Sequence, residues 1–138
     1  MKTFFVDTFY WVALINVADS WHQSVRDYSR NLNNIQLVTT EEVLTETINF
    51  FASFPSPMKK AVFQLLTQVV TDSHINVIPQ SHESFTAGLE LFSQRFDKGY
   101  SLTDCISMVT MNQLNITGVL THDKHFQQEG FIIVFKHS

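Results

Sequence analysis

The sequence predicts an α/β fold with a mostly parallel central sheet of about five strands, flanked by helices. Short β-branched and aromatic runs alternate along the chain with longer stretches of helical periodicity. The short runs lack strict apolar–polar alternation, as expected of strands covered on both faces. The length of 138 residues fits one domain, expected to span residues 1–138.

Thr3 to Val6 reads as the first buried strand, and a short apolar helix follows from about Thr8 to Asn16. Asp19-Ser20 makes a start for a second helix, which carries Trp21, Val25 and Tyr28. Gln36 to Thr39 reads as the second strand. Thr39 and Glu42 have capping-box spacing for a helix running to about Phe54. Pro55-Ser56-Pro57 is the clearest break and reads as a loop between helices. Val62, Leu65, Leu66, Val69 and Val70 then follow the i, i+3, i+4, i+7, i+8 spacing of an amphipathic helix. His74 to Ile78 is the third strand, ended by Pro79. Phe85, Leu89, Phe92 and Phe96 mark one face of the next helix, which Lys98-Gly99-Tyr100 breaks. Ser101 caps a further helix with Leu102, Ile106 and Val109 on one face. Gly118 to Thr121 and Phe131 to Phe135 read as the fourth and fifth strands.

Hydrophobic residues make up 44% and charged residues 16%, a mix that suits a packed core and argues against disorder. The 13 phenylalanines supply bulky core material and a candidate interface, for which the Phe50-Phe51-Phe54 cluster is one surface. Cys105 is the one cysteine, so no internal disulfide forms and the chain suits a reducing cytoplasm. It falls in an apolar helical pattern and reads as a buried thiol. Asp7 interrupts the first apolar run, and the stretch from Phe9 to Ile15 is too short to span a bilayer, so a soluble protein is expected. A net charge of -4 counts against a simple nucleic-acid binder. That objection weakens where several acids share one metal pocket, because bound divalent ions reverse the local sign.

The acids fall at telling places. In open α/β sheets, ligands bind beyond the C-terminal ends of the strands. Asp7 directly follows the first strand, and Asp123 closely follows the fourth. Asp104 lies in the first turn of the helix opened by Ser101, and spacing alone leaves open which sheet edge that turn takes. At about 100° per residue, Glu46 lies roughly 40° from Phe50 and about 60° from Val43, at the border of the apolar face. Glu42 lies farther toward solvent, and Glu41, near Ile48 on the other border, is a rival. Each acid also has a plainer role: Asp7 as a cap, Asp104 in a capping box, Asp123 in a turn, Glu46 as a solvated charge. Clustered carboxylates repel one another unless a cation intervenes. Mg²⁺ takes oxygen ligands and keeps several waters, so a few acids can hold it directly or through those waters. Such a pocket suits phosphodiester hydrolysis. Thr8, Ser101 and Thr121 are positioned to hydrogen-bond the acids or metal waters. Arg95, Lys98 and Lys124 flank the acidic segments as candidate phosphate contacts, or as solvated surface charges.

Four segments carry a resemblance. They are Phe5-Val6-Asp7-Thr8, then Thr39-Thr40 with Val43-Leu44-Thr45-Glu46-Thr47, then Ser101-Leu102-Thr103-Asp104-Cys105, then Thr121-His122-Asp123-Lys124-His125-Phe126. In this order, over nearly the whole chain, they resemble the PIN-domain family, and in particular the VapC-type ribonuclease toxins of bacterial toxin–antitoxin pairs. Each segment is similar to one that carries an acid of that family. The resemblance therefore implies an active site of Asp7, Glu46, Asp104 and Asp123, and favours Glu46 over Glu41 and Glu42. It further implies cleavage of single-stranded RNA with Mg²⁺ or Mn²⁺, a homodimer, and neutralisation by a separate antitoxin. The chain departs from the family at Phe9, where a small residue, often Ser, is common, and has His122 where the family varies. Neither change removes an acid.

Three other readings compete. His122, Asp123 and His125 suggest zinc, but their spacing is not a usual structural pattern and Cys105 is the only thiol. A phosphatase of the haloacid-dehalogenase type, with Asp7 as nucleophile, needs a second Asp two residues on, where Phe9 stands. A non-catalytic RNA-binding or regulatory module of the same family typically lacks one or more acids, and all four are present here.

Overall fold

The computed structural model describes residues 1–137. The chain runs β1 (Lys2–Val6), α1 (Thr8–Ile15), α2 (His22–Arg30), β2 (Ile35–Thr40), α3 (Glu41–Phe50) and α4 (Ser56–Thr71). It continues through β3 (Ile75–Ile78), α5 (His82–Ser93), α6 (Leu102–Gln113), β4 (Gly118–Leu120), α7 (Lys124–Gln128) and β5 (Ile132–Ile133). The strands form one sheet of order β3-β2-β1-β4-β5, and all pairs are parallel. This is the predicted α/β architecture, with β1 at its centre.

Phe5 and Val6 end β1 fully buried, with Phe5 opposite Val38 of β2 and Val119 of β4. Residues Leu37 to Thr40 of β2 and all of β4 are buried too, which explains their lack of alternation. Phe4 pairs with Gly118, and its ring covers that glycine so closely that a Cβ there would sit 2.6 Å from ring carbons. The path from β1 leads first to β2 and β3 on one side, and later to β4 and β5 on the other. The order therefore reverses between β1 and β4, and a crevice opens beyond their C-terminal ends.

Several boundaries differ from expectation, each for a local reason. Asp19 lies one turn before α2: its side chain accepts from the Trp21 amide at 2.8 Å, and the helix proper begins at His22. The third helix ends at Phe50, not near Phe54. Phe51 turns inward to pack fully buried with Val12 and Val62, and Phe54 precedes a proline, which disfavours helical backbone. Pro57 belongs to the first turn of α4, where a missing amide costs no hydrogen bond. Val70 is exposed, since eight steps of about 100° carry it roughly 80° from the buried Val62. The fifth strand shortens to two residues because β4 stops at Leu120. The chain beside it still donates from Val134 to Val119 and from Phe135 to Thr121. A short helix, α7, capped by Asp123, stands where the sequence suggests only a turn.

Helices α5 and α6 approach so closely that a Cβ on Gly88 would lie 2.4 Å from Ile106 Cγ1. Beside that contact, the apolar row of α5 is left largely uncovered: Phe85, Leu89 and Phe92 are exposed, as is Phe96, which lies past the helix end at Ser93 and not on the expected helical face. By contrast, Phe51 of the suggested Phe50-Phe51-Phe54 surface is core, and Phe50 is the exposed member. No helix among the described residues is long and apolar enough to cross a membrane.

Candidate active site

Four elements deliver one carboxylate each to the crevice between β1 and β4. Asp7 follows β1 at the N-cap position of α1, yet its side chain makes no cap. It is instead 5% exposed and accepts from Thr121 Oγ1 at 2.8 Å. Thr121 follows β4, is fully buried, and also accepts from the Asp123 amide at 3.1 Å. One hydroxyl thus ties the two strand-end acids together. Asp104 is the third residue of α6 and 9% exposed. It closes a capping box with Ser101, each side chain accepting from the other's amide at 3.0 Å. Glu46, half-buried on α3, accepts from the Thr8 hydroxyl. Thr40, one residue after the predicted Thr39, caps that helix, and Thr39 donates instead to the Val6 carbonyl.

The four acids, Thr8 and Ser101 line one open cleft of about 690 Å³, together with Phe9, His122, Lys124, His125 and His137. A second cleft of about 540 Å³ lies at the opposite sheet edge, near Met1, Asn34 and His74, and gathers no set of acids. The rivals to Glu46 point elsewhere. Glu41 accepts from the Gln80 amide at 2.7 Å, and Glu42 accepts from Ser84 Oγ at 2.7 Å. Glu42 is therefore half-buried against α5 and not turned toward solvent.

Electrostatics marks the cleft as short of positive charge. Burial pushes the Asp7 carboxyl up to about 7, helped by Asp104 and more weakly by Glu46, against the Thr121 and Thr8 hydrogen bonds. Burial likewise raises Asp104, with Asp123 and Glu46 adding to it and the Ser101 amide and His125 opposing. Mutual repulsion of this kind is relieved by a cation. Asp104, Asp123 and His125 each offer a ligand atom within 4.8 Å of the others. Nδ1 of His125 is buried with no hydrogen-bond partner. An orphaned imidazole nitrogen beside strained carboxylates fits a divalent ion. The His122-Asp123-His125 set suggested for zinc does not assemble: His122 stacks on Trp21, at 5.3 Å between ring centroids.

Of the three predicted cations, Lys124 alone lines the cleft. Arg95 grips Glu129 with two 2.9 Å hydrogen bonds, and Tyr100 donates to the same carboxylate at 3.0 Å. That pairing holds Glu129 below its ordinary value. Lys98 lies 3.7 Å from Asp97. The sequence offers His125 only as part of a zinc set and Phe9 only as a departure from the family, and it gives no sign of His137, which also lines the cleft. Phe9 packs edge-on against His122 at 4.6 Å and walls the cleft. The signal for His125 is its short interval from Asp123.

No protein-family model matches the chain, and neither does any curated protein sequence. Its fold does match solved structures. The VapC20 toxin of Mycobacterium tuberculosis, described as cleaving the sarcin–ricin loop, aligns at 21% identity with a TM-score of 0.83, over 94% of this chain and 96% of the toxin. A toxin–antitoxin complex from Klebsiella pneumoniae aligns at 12% identity and TM-score 0.66, over 98% of each chain. FitAcB from Neisseria gonorrhoeae aligns at 14% identity and TM-score 0.67, over 94% of this chain and 95% of that one. The chain thus has the fold of these three structures, the fold implied by its resemblance to VapC-type PIN domains.

Proposed function

We propose that this protein is a metal-dependent endoribonuclease that cleaves single-stranded RNA, and the toxin of a toxin–antitoxin pair. One observation carries the reading: Asp7, Glu46, Asp104 and Asp123, from four separate elements, share one cleft at the point where strand order reverses. The fold shared with VapC20 and with a toxin–antitoxin complex supports the toxin assignment and an antitoxin partner. The acids are the groups we assign to hold Mg²⁺ or Mn²⁺. When bound, such an ion polarises a phosphodiester and makes water a stronger nucleophile.

The chain's own residues divide the remaining work. Thr121 holds Asp7 and Asp123 in place, and Ser101 holds Asp104. Thr8 occupies Glu46 Oε1, so Oε2 is the oxygen we assign to take the proton of the attacking water. Lys124 at the cleft rim is our choice for a phosphate contact, with Arg95 and Lys98 serving phosphates farther along the strand. Self-association through the exposed face of α5 completes the proposal, as does a reducing cytoplasm, where the buried Cys105 stays free.

The test is incubation with a panel of single-stranded RNAs and the sarcin–ricin loop, with Mn²⁺, Mg²⁺ or EDTA. Cleavage in either metal, stopped by EDTA and lost in Asp104→Asn, is the expected result. Hydrolysis of phosphate monoesters with every RNA intact would overturn it.

A further inference from the structure

His125 is the second residue of α7, where its amide donates to Asp123 Oδ1 at 2.9 Å. That backbone bond, with Asp123 as cap, sets the direction of the side chain. Nε2 lies against Gly99, where a Cβ would come within 3.1 Å, and the Tyr100 ring centroid stands 5.4 Å from that of the imidazole. Nδ1 consequently points inward. It has no hydrogen-bond partner, and its polar neighbours are Asp123 Oδ1 at 3.3 Å and Asp104 Oδ2 at 3.6 Å. Ligand bonds of about 2.1 Å around one ion place neighbouring ligand atoms roughly 3.0 to 3.4 Å apart. The two distances from Nδ1 are already close to that spacing, and the Asp104 and Asp123 carboxylates offer ligand atoms within 4.8 Å of each other. An imidazole with its proton on Nε2, facing Gly99, presents a lone pair at Nδ1 to the same point.

We infer that His125 Nδ1 is a direct ligand of the ion held by Asp104 and Asp123, and that this nitrogen makes the site prefer a first-row transition ion over Mg²⁺. The inference rests on the metal pocket of the reading above and not on RNA as substrate. Mg²⁺ takes oxygen ligands and holds its waters firmly. Imidazole binds transition ions well, so exchanging an oxygen ligand for this nitrogen tilts selectivity toward them.

The alternative is that His125 acts as a cation balancing the two carboxylates, in which case an incoming ion displaces it. Pulsed electron paramagnetic resonance on the full chain with substoichiometric Mn²⁺ separates the two. A directly bound nitrogen gives ¹⁴N coupling, which ¹⁵N-histidine labelling of the wild type must alter. The coupling should vanish in His125→Gln and persist in His122→Gln. Titration calorimetry should show His125→Gln losing about tenfold in Mn²⁺ affinity and less than about threefold in Mg²⁺ affinity. Mn²⁺ binding without nitrogen coupling, coupling that survives His125→Gln, equal losses for both ions, or no Mn²⁺ binding to folded wild type would each overturn the assignment. Nitrogen coupling in a protein that cuts no RNA would instead sink the ribonuclease reading and leave the ligand in place.

Discussion

At the scale of single residues, Asp7 pairs function with instability. Its carboxyl is buried beside Asp104 and held up to about 7, against an ordinary value of 3.8. Between those two values the folded state binds more protons at this site than the unfolded state. Stability without metal therefore falls as pH rises from about 4 to about 7, and levels off above, by on the order of 4 kcal/mol. Asp7→Asn should flatten that slope, because an amide keeps the shape, can accept the Thr121 hydroxyl, and carries no charge. Denaturant unfolding of both proteins at a series of pH values, with EDTA present, checks this. An equally steep fall in the variant would show that the burden lies elsewhere in the cluster. Glu46 shows a different division of labour. Its place at the border of the α3 apolar face was legible from helical angles. Helical angles alone left Glu41 as a rival and the resemblance favoured Glu46; the structure supplies the physical reason, because Glu41 and Glu42 are taken up by Gln80 and Ser84, about 40 residues away.

Among the elements, α5 carries the largest surprise. Its apolar row was readable as periodicity, but periodicity does not say which side of a helix finds a neighbour. The covered side of α5 is the one carrying Ala87, Gly88 and Leu91, with Gly88 admitting Ile106 of α6, while Phe85, Leu89 and Phe92 beside it stay exposed. That row of large exposed apolar side chains is the reason this face is proposed for self-association. Leu89→Lys should convert a homodimer to monomer with an unchanged melt of the monomer, as read by light scattering over a concentration series. Wild type that stays monomeric at high micromolar concentration would remove this surface from the proposal. The start of α6 shows a physical argument that was within reach. A helix feeding a parallel strand runs antiparallel to it, so Ser101 and Asp104 must begin at the same sheet edge as the ends of β1 and β4. The five-residue α7 was beyond reach for the opposite reason: five residues are too few for apolar periodicity, and its cap, Asp123, reads equally well as a turn.

For the whole molecule, the net charge of -4 and the acid cleft form one problem, and a bound ion addresses both. The unfolded chain scatters Asp7, Glu46, Asp104 and Asp123 over more than a hundred positions, so it offers no comparable site. A ligand that binds only the folded state stabilises it by mass action, roughly 2.7 kcal/mol at about 100 times the dissociation constant. Wild type should therefore gain a higher melting temperature on adding Mn²⁺, and the gain should grow with Mn²⁺ concentration. Because Asp7 and Asp104 are raised by burial and mutual repulsion, binding at neutral pH should also release protons, and the gain should shrink as pH falls below about 7. Asp7→Asn and Asp104→Asn remove one repelling charge each. They should melt higher than wild type in EDTA, gain less from Mn²⁺, and cut no RNA. Asp104→Asn keeps an acceptor for the Ser101 amide, so loss of the α6 cap does not confuse the comparison. If these acids were structural caps alone, metal would shift all three proteins equally. Melting series with and without Mn²⁺, run beside the cleavage assay, distinguish the cases: equal shifts with retained cleavage would remove Asp7 and Asp104 from the active site.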